Sequence, residues 1–129
     1  MAALTLGTLN PVTIVGYEVN DRGQAATDIT RGQLLSITTA TPAAGFSAVW
    51  DKAATTVTDP AGIALMDCKA GGTVSVGIHG EMDGYTGLTP GTFVYPSGTV
   101  AGGIDTTKPS GAVERIRAVS TTRIRFCFV

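Results

Sequence analysis

One histidine, two cysteines and 15% charged residues are what this 129-residue chain offers for chemistry. A lone His79 cannot complete a metal site that needs two or more imidazoles, nor serve several nucleophiles as base. Cys68 and Cys127 stand far apart, without the spacing of a zinc or redox motif. They read as reduced, half-buried thiols, with a disulfide between them left open. Charged residues fall well below the usual quarter of a soluble domain. With a net charge of −1 the chain lacks the basic face that nucleic acid demands. No apolar run reaches the length of a membrane span, and the first residues lack the basic start of a signal peptide. The expectation is therefore a protein without catalytic residues, cofactor, metal, small-molecule substrate, nucleic acid or membrane partner.

What is present is β-type sequence. Apolar residues make up 43% and glycine contributes 17 positions. In Thr73–His79 the residues Val74, Val76 and Ile78 alternate with Thr73, Ser75, Gly77 and His79. That period of two marks a strand with one buried face. Gly62–Met66, Thr92–Tyr95, Leu34–Thr38 and Ser47–Asp51 are further strands. Thr39–Phe46 is a loop, and no stretch holds a 3.6-residue apolar period over three turns. The fold class expected is all-β: a small single-domain β-barrel or sandwich over residues 17–129, preceded by an extended arm over residues 1–16. The polar run Gly16–Thr30 is expected to be a loop or irregular crossover. Thr30-Arg31-Gly32-Gln33 and Thr89-Pro90-Gly91-Thr92 share one pattern and predict one tight turn used twice.

The C-terminal residues Val113–Val119 and Arg123–Val129 predict a hairpin around Ser120-Thr121-Thr122, with Val119 opposite Arg123 and Arg117 opposite Arg125. Ile116, Ala118, Ile124, Phe126 and Phe128 then face the core. Val74, Val76, Ile78 and Phe93 join them. Arg115, Arg117, Arg123 and Arg125 share the other face, where they repel unless solvated or met by acids. A solvated face is the commonest fate of such charges, and a docking face for an acidic protein surface is the second reading. Trp50 is expected in the core. His79 beside Glu81 or Asp83 could suggest a base, but an exposed histidine at a strand end is the stronger reading. Asp67, Glu81 and Asp83 read as turn and strand-end residues, since Asp83-Gly84 is a turn dipeptide for backbone reasons alone.

The segments Gly62-Ile63-Ala64, Ala70-Gly71-Gly72, Val74-Ser75-Val76-Gly77-Ile78, Gly80, Pro90-Gly91 and Val94-Tyr95, with the tail Ile116–Val129, carry a resemblance. Over about Asp28 to Val129 the pattern resembles the small capsid decoration (cement) proteins of tailed bacteriophages. The resemblance implies a β-barrel-like protein, made in the bacterial host cytoplasm and placed on the outer surface of the virion capsid. There it would bind the major capsid protein, bridge neighbouring subunits and resist the pressure of packaged DNA. It also implies self-association, with a homotrimer expected and a dimer as runner-up. A charge-sparse surface fits a protein that ends against another protein. The arm is expected to dock on the coat through Ala2, Ala3, Leu4, Thr5, Leu6 and Leu9, because Ala2–Leu9 is uncharged and Pro11 bars a central strand. The alternative is a receptor- or carbohydrate-binding β module of a tail fibre or adhesin, which would want exposed aromatic platforms.

Overall fold

A computed structural model describes the backbone of residues 15–128 and the side chains of residues 22–128. Within it lie nine strands: β1 (Val15–Ala25), β2 (Leu34–Ile37), β3 (Val49–Lys52), β4 (Gly62–Ala64), β5 (Thr73–Met82), β6 (Phe93–Pro96), β7 (Ile104–Asp105), β8 (Ile116–Ala118) and β9 (Ile124–Cys127). No helix forms among the described residues. The all-β expectation holds, and the form is a barrel.

Strands β1, β3, β2, β4 and β5 follow one another in pairing order, and β1 pairs β5 to close the ring. The β1–β3 contact is parallel and the other named contacts are antiparallel. Closure rests on β5, whose ten residues serve three partners. From Thr73 to Glu81 it pairs β1 on one edge. On the other edge, Val76 and Gly77 pair β4, while His79–Met82 pair β9. From that second half, β9, β8, β6 and β7 continue outward as a sheet extension.

The closing strand is where the sequence reading needs correction. Gly16–Thr30 is not a loop up to Ala25, because Val15–Ala25 is a strand. Its polar residues suggested a turn, but a long partner decides strand formation more than local propensity does. Register shifts between Val15 and Tyr17, Glu18 and Val19, and Val19 and Asp21 mark bulges. Bulges bend and twist a strand, and here they curl β1 around so that its last residues also meet β3.

Alternation in β5 buries Val74, Val76 and Ile78 as expected. Ile116, Ala118, Ile124, Phe126 and Phe128 are buried with them. The hairpin register is as expected: Arg117 opposes Arg125, and the Val119 amide donates to the Arg123 carbonyl at 2.9 Å. Phe93 departs from the expected core. It is half-buried, while Val94 is 1% exposed and takes the inward position. In the short Phe93–Pro96 strand the inward face begins one residue later than the alternation predicts, which exchanges the two faces.

The repeated turn is real and wider than two copies. The Gln33 amide donates to the Thr30 carbonyl at 3.1 Å, with Gly32 at φ 90°. The Thr92 amide donates to the Thr89 carbonyl at 3.2 Å, with Gly91 at φ 85°. A positive φ at the third position is the type II requirement, which glycine meets without a Cβ penalty. The same bond and glycine recur at Ala43–Phe46, Lys69–Gly72, Val100–Gly103 and Pro109–Ala112.

One buried side chain joins the β5–β6 loop to the first of these turns. The fully buried Tyr85 hydroxyl donates to the Gly32 carbonyl at 2.7 Å. Burial pushes its pKa far above the ordinary tyrosine value. The hydroxyl stays protonated and always available as donor. Tyr85→Phe leaves that buried carbonyl without this partner, so urea unfolding is expected to show a loss of about 1–3 kcal/mol. An unchanged midpoint would mean the bond contributes nothing net.

Candidate functional site

The hairpin's outward face gathers the strongest cluster of charge expected from sequence. Strand alternation sends Arg115, Arg117, Arg123 and Arg125 away from the core that Ile116, Ala118, Ile124 and Phe126 fill. The expected repulsion is met by acids from elsewhere in the chain. The Arg115 guanidinium donates twice to Asp59, at 3.0 and 3.3 Å. That bond holds the Arg115 pKa above its ordinary value. Arg125 donates from Nε and Nη2 to Glu81 Oε2, at 3.0 and 2.7 Å. Arg123 reaches Asp83 at 3.4 Å and the other Glu81 oxygen at 3.7 Å. The Thr122 side chain and then the Gly84 amide hold the Asp83 carboxyl below its usual range, with Arg123 adding to the effect.

Arg117 is different. Its guanidinium carbon lies 4.5 Å from the centroid of the Phe93 ring, and no acid pairs with it among the described residues. The misread parity of Phe93 explains the arrangement: the ring lies on the arginine side of the sheet and carries a cation on its face. Phe93 pairs Arg117 directly across β6 and β8. Around them opens a cleft of about 260 Å³ that Glu114, Arg115, Arg125 and Cys127 also line.

His79 is exposed on the polar side of β5, opposite Cys127 of β9. Glu81, the acid that could have paired it as a base, is committed to Arg125 and Arg123. Asp67 serves the backbone: its carboxylate accepts the Arg31 amide at 2.7 Å and so caps the turn that launches β2. Asp67 therefore does not join Glu81 and Asp83, which share Arg123. Cys68 and Cys127 are thiols rather than a disulfide, and Cys127 is exposed rather than half-buried. Burial raises the Cys68 thiol pKa. Among the described residues no three His, Cys, Asp or Glu side chains gather as a metal set.

The arm residues Ala2, Ala3, Leu4, Thr5, Leu6 and Leu9 lie outside the described residues, so the expected coat contact through them has no geometry here. Asp59 and Phe93 are the members of the cluster that sequence reasoning missed. Asp59 sits in a Thr-rich loop 56 residues before Arg115, and only a spare carboxylate next to Pro60 hinted at it. No family model matches the chain, and no curated protein matches it either.

Proposed function

We propose that this chain is a structural capsid decoration protein. It binds the outside of an expanded bacteriophage head and clamps neighbouring major capsid subunits against the pressure of packaged DNA. It acts as a homotrimer, so that several modest contacts combine through effective concentration. Its place is the outer surface of the virion, and its role is mechanical rather than enzymatic.

The observation that carries this reading is where the resembling segments fall. Gly62-Ile63-Ala64 is β4, Val74–Ile78 lies within β5, Val94-Tyr95 lies within β6, and the tail forms β8 and β9. The segments that share the decoration-protein pattern are thus the structural strands of one small barrel and its extension. The surface supports contact with protein. Ile37, Met66, Val100 and Val113 are each more than 40% exposed on a chain with few charges. The glycan-binding alternative has less support. Every aromatic with a described side chain is buried or half-buried, so none presents an exposed platform.

Co-sedimentation with expanded heads that lack decoration tests the reading. The purified chain is expected to pellet with heads and not with a panel of immobilised glycans. Deleting residues 2–9 is expected to leave the melting temperature nearly unchanged and to weaken head binding about tenfold or more. Full binding by the truncated chain would place the clamp elsewhere on the barrel. Failure of the intact chain to bind expanded heads would sink the proposal itself.

A further inference from the structure

Among the described residues the hairpin face gathers four guanidiniums and three carboxylates. Asp59 answers Arg115, Glu81 answers Arg125, and Asp83 answers Arg123. In the adjoining cleft, Glu114 is answered by Lys108 at 3.4 Å. One positive charge remains, and it belongs to Arg117. This cation is held rather than loose. Phe93 is half-buried, and its ring lies under the guanidinium carbon, 4.5 Å from centroid to carbon. Arg125 stands directly opposite across the β8–β9 pair and is itself held by Glu81. The like charge opposite prevents Arg117 from folding down onto its own hairpin. Arg117 itself is exposed and lines the cleft.

We propose that this cleft seats a single carboxylate side chain of the partner protein, in a charge-assisted pair with Arg117. Charge complementarity selects the occupant. A planar guanidinium over an aromatic ring, with no acidic partner among the described residues, offers two parallel donors, the geometry that matches a carboxylate. One uncompensated charge suits one carboxylate, whereas a run of phosphates would also meet Glu114, which lines the same cleft. The identity of the partner as a coat subunit rests on the preceding reading. The carboxylate chemistry does not.

Two measurements separate those claims. In the first, the arginine Nε–Hε resonances of the intact protein are followed while tetraglutamate, tetraglutamine or inorganic phosphate is added. Arg117 is expected to shift with tetraglutamate and to stay still with tetraglutamine. No shift with tetraglutamate, or a shift with phosphate alone, overturns the proposal. In the second, binding to expanded heads is compared for the wild type, R117A, R117M and K69A. R117A is expected to bind about tenfold more weakly, the loss of one charge-assisted hydrogen-bonded contact. R117M keeps an apolar stem over Phe93 without the charge and is expected to match R117A. K69A removes one charge from the Ala70-Gly71 turn and is expected to bind like the wild type. Wild-type binding by R117A, or an equal loss in K69A, overturns the proposal. If the wild type itself ignores heads, the decoration reading fails and the titration alone decides the carboxylate site.

Discussion

Phe126→Ala is expected to lower the unfolding free energy by about 3–5 kcal/mol, read as a fall in the urea midpoint at unchanged slope. The residue is 1% exposed and sits on β9, where the sheet extension joins the barrel. On one side it pairs Gly80 of β5, and on the other Ile116 of β8. Gly80 presents no side chain there, so none at that position can fill the space the ring would vacate. The Phe128 ring lies 5.7 Å away at an interplanar angle of 33° and loses its neighbour too. Phe126 shares one apolar cluster with Trp50 and Leu34 of the barrel. Unfolding is therefore expected to remain a single transition, with barrel and extension failing together. A loss below about 1 kcal/mol would show that the hairpin is a loosely held appendage, far from the usual cost of a buried aromatic.

The parts of this fold that were legible in the sequence are those that local rules govern. Val74, Val76 and Ile78 announce β5 by alternation alone. The hairpin register follows from a three-residue loop and the apolar positions on either side. The Thr-x-Gly turns announce themselves through glycine, because the third position of that turn nearly requires it. What stayed hidden depends on partners far away in the chain. β1 is polar and rich in turn-forming residues, and only its long pairing against β5, from Val15 to Gln24, makes it a strand. Barrel closure is a property of that one pairing, so it was illegible for the same reason. At the candidate site, the four arginines and their common face could be read from the hairpin. Asp59, Glu81 and Asp83 as their partners could not, since which acid meets which arginine is settled by the tertiary fold. Phe93 was lost to a one-residue parity error in a strand too short to reveal its period.

Trp50→Ala is expected to cost about 3–5 kcal/mol as well, and a second substitution shows why. Trp50 is 2% exposed on β3, with Ala25 of β1 and Ile37 of β2 beside it in register. Its indole nitrogen finds no hydrogen-bond partner among the described residues, so the side chain contributes through packing. The Cδ1–Nε1 edge of the indole lies close against Gly23 of β1. A Cβ built there would overlap Trp50 Cδ1, lie 2.6 Å from Nε1 and stand 3.0 Å from the Ala48 carbonyl oxygen. Neither strand can retreat. Gly23 is in register with Val74 of β5, and the next amide, Gln24, donates to Ala48 at 2.9 Å. Gly23→Ala alone is therefore expected to cost about 1–3 kcal/mol by overpacking. In the double variant the new methyl enters space that the indole has left, so the two costs should not add. The sum of the single losses is expected to exceed the double loss by about 0.5–3 kcal/mol, the range for residues in direct contact. Strict additivity would mean that β1 shifts away from the ring. The bulges that curl β1 into the barrel would then be flexible enough to absorb a methyl group at its closing seam.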